Sequence, residues 1–255
     1  MIYITGDTHS DFHRFSQHIF PEQRQMSKKD YVIIAGDFGG IWFNSNDTVH
    51  AKSEQHNLDE LDRRAFTTLF IPGNHENYDR LYSDEFPEES WNGGKVKMIR
   101  PSVMMLQRGE MYNIGGVDFF TFGGASSHDI SDGILDSSDH NWKRKAKQLE
   151  RRGKRSYRVK GVSWWHQELP TQAEMQHGLE TLEKNNWKTD FVITHCAPSS
   201  IHLQLGHQTT DILTQYLEKI HEKLDYKKWF LGHYHDNINI NAKDILLYEQ
   251  IIRIL

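Results

Sequence analysis

The sequence predicts an α/β fold in a single domain, on three grounds. Short apolar runs recur along the 255 residues, segments with helical spacing lie between several of them, and no Pro- or Gly-rich linker or internal repeat divides the chain. Ile2 to Ile4, Tyr31 to Ala35, Thr68 to Ile71, Phe191 to Thr194 and Trp229 to Leu231 each close on polar residues and read as buried strands. Phe12 to Phe20, Leu58 to Phe66, Ala173 to Leu182 and Ile212 to Leu224 carry the helical spacing.

Taken in order, the first strand starts almost at Met1, with no basic leader or small-residue cleavage site ahead of it. Around Val103 to Leu106 and Val117 to Phe122 the strands crowd together, separated by Gly109 and the Gly115-Gly116 turn, so hairpins are expected there, and the tail from Ile238 to Ile251 reads as sheet too. Residues 125 to about 168 break the rhythm. They are rich in Ser, Asp, His, Lys and Arg, and they end on Trp164-Trp165-His166, which marks a polar insertion into the domain 1–255.

Composition bounds the class. With 37% hydrophobic and 12% aromatic residues the chain can bury a core, although its mean hydropathy is −0.71. No apolar run approaches the roughly 18 residues of a membrane helix, so no membrane partner is expected. A single cysteine, Cys196, excludes an intramolecular disulfide and a thiolate zinc finger and suits a reducing compartment; the expected location is the cytoplasm. The net charge of −5 conceals an asymmetry: residues 143–160 hold ten Lys or Arg against Glu150, which is +9 there and −14 elsewhere.

Five polar clusters follow five of the strands: Gly6-Asp7-Thr8-His9, Gly36-Asp37, Gly73-Asn74-His75-Glu76, Thr194-His195 and Gly232-His233-Tyr234-His235. Strand carboxyl ends collect at one edge of an α/β sheet, so residues distant in sequence can meet in one crevice. The glycines would let the backbone turn sharply there. Oxygen and imidazole donors without thiolate suit Mn, Fe, Zn, Co or Ni better than Mg. In an extended segment, i and i+2 side chains share a face, which lets Asp7 and His9, or His233 and His235, address one metal or two adjacent ones. Singly, each cluster is ordinary turn chemistry. Five in succession are not.

In that order the motifs Asp7-x-His9, Gly36-Asp37, Gly73-Asn74-His75-Glu76, His195 and Gly232-His233-x-His235 resemble those of the calcineurin-like metallophosphoesterases. The resemblance implies a four-layer α-β-β-α sandwich with a dinuclear site at the strand ends. It implies two divalent metal ions, Mn being preferred, one held by Asp7, His9, Asp37 and His235 and the other by Asp37, Asn74, His195 and His233. A hydroxide between the ions would attack a phosphate ester. His75 would bind a phosphate oxygen or protonate the leaving group, with ligand orientation as the alternative. The segment Gly36 to Trp42 lacks the second Asp and the Arg of the protein Ser/Thr phosphatases, which disfavours that branch, and the length leaves little room for the capping domain of the repair nucleases.

The expected reaction is hydrolysis of a phosphomonoester or phosphodiester, with nucleotides or nucleic-acid ends as the favoured class. A non-catalytic scaffold that binds a partner on the same fold is the alternative. Trp42, Phe43, Trp164 and Trp165 are candidates for base stacking, with core packing as their other reading. The basic run, including Arg151 and Arg152, is a candidate for nucleic-acid contact, or else a solvated face. His128 and His166 flank the insertion within expected reach of the phosphate. The sequence specifies no oligomeric state.

Overall fold

In the computed structural model, which describes residues 1–44 and 48–255, the apolar runs form strands in two main sheets and one small one. β1 (Ile2–Thr5), β2 (Tyr31–Ile34) and β3 (Thr67–Phe70) are parallel neighbours. Interior parallel strands are covered on both faces, which is why they read as continuous apolar runs. α1 (Thr48–Asp62) precedes β3, and α2 (Tyr78–Leu81) follows it. β4 (Glu88–Trp91), β5 (Gly94–Arg100) and β6 (Val103–Leu106) add an antiparallel flank.

The chain then changes sheets. β7 (Glu110–Ile114) and β8 (Val117–Phe122) form a hairpin turned at Gly115-Gly116, so the expected hairpin exists, but β6 belongs to the other sheet. The segment expected to be an insertion contains a β-α-β unit: β9 (Gly133–Asp136), α3 (Trp142–Arg151) and β10 (Tyr157–Lys160), with β9 and β10 paired in parallel. Its neck is closed by Glu168, which accepts hydrogen bonds from Ser127 N (2.9 Å) and Ser127 Oγ (2.7 Å).

α4 (Gln172–Lys184) leads to β11 (Phe191–Thr194); α5 (Ser199–Gln204) and α6 (Ile212–Lys223) lead to β12 (Lys228–Leu231), β13 (Ile238–Asn239) and β14 (Asp244–Leu246). The second sheet runs β13-β14-β12-β11-β8-β7. β15 (Ile252–Arg253) returns to pair with β1, giving the first sheet the order β15-β1-β2-β3-β6-β5-β4.

Alternation of side chains sorts each strand into two cores. Ile2, Ile4, Ile33 and Leu69 of the first sheet pack with Phe119, Ile193 and Phe230 of the second. Val32, Ile34 and Phe70 face Leu58 and Leu61 of α1, while Val192, Trp229 and Leu231 face Leu182 of α4 and Leu217 of α6. Each such side chain, fully buried, contributes about 1.5–3 kcal/mol. The mixed α/β class is as the sequence predicts; the order of layers rests on the family resemblance.

The expected helix over Phe12 to Phe20 is replaced by two 3-10 turns, His13–Phe15 and Pro21–Gln25. Pro21 disfavours a helical Phe20, and the buried Gln23 amide satisfies the Phe15 and Phe20 carbonyls at 2.8 Å each. α1 ends before Phe66 and reaches back to Thr48 through polar residues; its third buried contact is Glu54, invisible to an apolar pattern. Among the described residues no helix is long and apolar enough to cross a membrane.

Candidate metal centre

The five motif clusters lie beyond the C-terminal ends of β1, β2 and β3 in one sheet and β11 and β12 in the other. β8 contributes a sixth segment, ending in Ser127-His128. The loops are interlocked by backbone: Thr8 N and His9 N donate to Asp37 O at 3.1 and 2.8 Å, and Gly232 N donates to His195 O at 3.0 Å.

Asp7, His9, Asp37 and His235 each offer a donor atom within 4.8 Å of the others, the one such group found among the described residues. His9 Nε2 and His235 Nε2 stand 3.1 Å apart. Asp7 Oδ2 is buried, and its nearest polar contacts are imidazoles, His235 Nε2 at 3.1 Å and His9 Nε2 at 3.9 Å. A buried carboxylate oxygen facing two imidazole nitrogens that also face each other is a donor set that one cation would satisfy together. These observations fit a divalent ion held by oxygen and imidazole.

The second implied set is divided. His195 Nε2 is 3.2 Å from Asp37 Oδ1 and 3.3 Å from Asn74 Oδ1. Its Nδ1 faces the Ala35 carbonyl at 2.9 Å, which requires the proton on Nδ1 and leaves Nε2 for a metal or a second proton. Burial works against a charged His195, but Asp37 and Asp7 outweigh it and push the pKa up to about 9. Burial also opposes ionisation of Asp37, yet His195 holds that carboxyl well below its usual range. His233 turns elsewhere: its backbone N–H donates to Asp7 Oδ1 at 3.0 Å, while its Nε2 meets His128 Nε2 at 2.6 Å. His128 thus meets His233, whereas His166 lies exposed in a 3-10 turn.

The glycines permit close approach of neighbouring groups. A Cβ on Gly73 would sit 2.1 Å from Asp37 Oδ1, and one on Gly232 2.4 Å from Asp7 Oδ1. Of the four motif glycines that precede candidate ligands, only Gly36 has a left-handed φ, +97°. The candidate ligands take that conformation themselves: His9 (+45°), Asp37 (+43°), His233 (+73°) and His235 (+51°). Side chains rarely adopt it, and each instance costs about 1–3 kcal/mol, so the surrounding loops hold strain at the site. Glu76 is part of that restraint. Its buried carboxyl, pushed up to about 8 by desolvation and by Asp37, accepts Phe38 N at 2.7 Å and Gly39 N at 3.3 Å. Arg14 braces the other side through Tyr248 O (2.7 Å) and Asp7 O (2.6 Å).

His75 sits at the rim. Its backbone N–H donates to Asp37 Oδ1 at 2.8 Å, and its ring meets His9 edge-on at 5.1 Å and Trp42 at 6.5 Å, 26° from parallel. Burial lowers its pKa, and Arg158 adds to this.

Of the four residues expected to bind substrate, Trp165 is buried, Trp164 is half-buried, and Arg151 and Arg152 are exposed. Trp165 is 3% exposed, its Nε1 bonded to Asp79 Oδ2 at 2.8 Å and its ring against Trp42, so it has no free face for a base. Trp164 spends its Nε1 on Glu168 at 3.0 Å, in the neck of the insertion. Arg151 and Arg152 lie exposed at the end of α3, and the basic side chain that meets His75 is Arg158. Inside a run of ten basic residues nothing distinguished it; the distinction comes from the register of β10.

Two aspartates and converging imidazoles at the strand ends of an α/β fold define a protein built to hold divalent cations. Residues 1–237 match the calcineurin-like phosphoesterase family, and the chain belongs to it. It is therefore a phosphoester hydrolase, and both the family and the Asp/His cluster point to divalent metal ions. No curated protein matches the chain.

Proposed function

We propose that the chain is a single metallophosphoesterase unit, with residues 125–168 inserted, that hydrolyses phosphomonoesters or phosphodiesters of the nucleotide or nucleic-acid class. The observation that carries this reading is the buried Asp7 Oδ2 lying 3.1 Å from His235 Nε2 and 3.9 Å from His9 Nε2, with those two nitrogens 3.1 Å apart. Asp7, His9, Asp37 and His235 would hold one ion; Asp37, Asn74 and His195 would hold the second, joined by His233 when its ring leaves His128. The ions, when bound, supply Lewis-acid charge and a water ionised near neutrality. The donor set favours Mn, with Fe, Zn, Co or Ni as substitutes.

The chain's own groups do the rest. Asp37, buried and ionised, offers its two oxygens to different neighbours, which suits a bridging carboxylate. Burial lowers the His75 pKa and so favours its neutral ring, which can accept a hydrogen bond or, once protonated, give a proton to a leaving oxygen. Trp42, nearly parallel to His75, gives a leaving group an aromatic wall. Arg144, Lys147 and Arg151, all exposed, fall at helical spacing on one face of α3 and favour contact with a polyanion. The insertion as a whole is less basic than its central run: its ten basic residues meet six acidic ones, a net +4. The buried Cys196 suits the cytoplasm.

The test is metal analysis of purified protein, followed by hydrolysis of a phosphomonoester and phosphodiester panel with and without chelator. Bound divalent metal and chelator-sensitive turnover are expected. Absence of metal binding, or turnover indifferent to its removal, overturns the reading.

A further inference from the structure

A reaction at phosphorus needs a cation for the phosphoryl oxygens beyond what holds the attacking water, and no arginine follows Gly36-Asp37. Three other arginines near the site are already engaged. Arg14 serves Thr5 and the Asp7 and Tyr248 carbonyls, Arg80 is paired with Glu54 and Glu85, and Arg108 donates to the Gly123 and Glu168 carbonyls.

Arg158 differs from them. It extends from β10 of the insertion, its side chain is 18% exposed, and Nη2 lies 3.4 Å from His75 Nε2. Asp129 grips the Nε–Nη2 edge of the guanidinium, accepting from Nε at 2.9 Å and pairing with the same Nη2 that faces His75. Among the described residues Nη1 has no hydrogen-bond partner. A guanidinium fixed along one edge, with N–H groups left over beside a candidate proton donor, is preorganised for a planar fork of oxygens.

We propose that Arg158, carried to the centre by the inserted β-α-β unit, binds the phosphoryl group and selects a terminal phosphate over an internal diester. This rests on the phosphoesterase reading above. A terminal phosphate presents three non-bridging oxygens and nearly two charges; a diester presents two and one. An additional cationic fork therefore favours the terminal group. Asp129 is a positioning residue that sets the direction of the fork. The insertion is then part of the active site and not only a surface for large polyanions.

The experiment uses the full chain loaded with Mn, with equal metal content and equal folding verified for wild type, Arg158→Ala, Arg158→Lys and Asp129→Asn. Inorganic phosphate binding is measured by calorimetry, and kinetics are measured on nitrophenyl phosphate and bis-nitrophenyl phosphate. Arg158→Ala should weaken phosphate and raise the monoester KM by about 10- to 100-fold, the usual worth of hydrogen bonds to a charged group. The diester KM should change several-fold less. Lys, which keeps the charge without the fork, should fall between. Asp129→Asn should raise the monoester KM modestly with kcat little altered, and the larger Arg158→Ala effect should hardly grow when both changes are combined. Unchanged phosphate affinity in Arg158→Ala, or equal losses on both esters, overturns the proposal. If wild type hydrolyses neither ester, the phosphoesterase reading fails by itself, and the calorimetry alone decides whether Arg158 holds phosphate.

Discussion

His9 and His235, 226 residues apart in sequence, bring their Nε2 atoms to within 3.1 Å of each other beside the buried Asp7 Oδ2, which lies 3.1 Å from His235 Nε2. One shared proton can serve one such contact, whereas a cation accepts both lone pairs and the carboxylate together. His9→Ala and His235→Ala should each reduce bound Mn by about one ion per chain, and the double variant should bind no less than either single one, because groups acting on one ion are not additive. Metal analysis after dialysis reads this directly. Two ions retained in either variant would refute a shared ion.

Gly73 tests the close approach. A methyl at this position meets Asp37 Oδ1 at 2.1 Å and Asp37 N at 2.3 Å, so Gly73→Ala must displace the central carboxylate. Metal content and turnover should fall steeply, with a stability loss of about 1–3 kcal/mol from overpacking. Gly116→Ala is the comparison. Nothing lies within 4 Å of its Cβ, and its φ of +85° costs about 1 kcal/mol, so stability should drop without metal loss. Equal metal content in the two variants would remove the steric argument.

The candidate ligands were legible because each follows a strand of plain apolar sequence, and position after a strand is what brings Asp7, Asp37, Asn74 and His195 together. Their supports were not. Glu76 and Glu54 work by accepting backbone N–H groups inside the fold, Phe38 and Gly39 for the first, Trp42 and Phe43 for the second. No spacing rule announces such a bond. Trp165 has polar residues around it in sequence, yet it is buried against Trp42 with its Nε1 on Asp79. Phe12 to Phe20 has helical apolar spacing, yet Pro21 and Gln23 make 3-10 turns cheaper.

Away from the centre, His221 and Asp244 form a second test. His221 Nε2 is 3.2 Å from Asp244 Oδ2, and Asp244, 1% exposed, also accepts from Tyr226 Oη at 2.8 Å and Asn241 Nδ2 at 2.6 Å. The bond to Asp244 raises the His221 pKa, against desolvation and with help from Glu218 and Glu222. Burial opposes the Asp244 charge, but His221, Asn241 and Tyr226 lower its pKa. A raised histidine stabilises fully below its unfolded pKa of about 6.5 and less as pH rises through the folded value; a lowered aspartate stabilises above about 3.9 and less as pH falls through its folded value. The pair therefore contributes most between about pH 4 and 6.5. His221→Gln should lose stability chiefly in that window and flatten the decline on the alkaline side. Urea unfolding from pH 5 to 8.5 measures it, and an identical pH slope in the variant would count against the linkage.

His75 separates ligand from rim. Its contact with Asp37 Oδ1 is through the backbone N–H, which His75→Ala preserves. Both metals should stay, while turnover falls about 10²- to 10⁴-fold if the imidazole supplies the proton. The loss should shrink for a nitrophenyl leaving group, which needs no proton. Equal losses for nitrophenyl and alkyl esters would make His75 a phosphate-binding group instead.

The exposed stripe on α3 sets the last expectation. Lys145 and Lys154 are already paired with Asp139 and Asp132, and Arg158 with Asp129, so their charges are partly spent within the insertion. Arg144, Lys147 and Arg151 have no acidic partner among the described residues and share one helix face. If that face meets phosphates, replacing all three with Gln removes three counterion-releasing contacts. The slope of log K against log salt for a single-stranded oligonucleotide should then fall by about 2, at roughly 0.7 per contact. Affinity should drop most at low salt and converge with wild type as salt rises, because screening removes the same term from both. A triple variant with the wild-type slope would show that α3 is a solvated face and that recognition ends at the phosphoryl group.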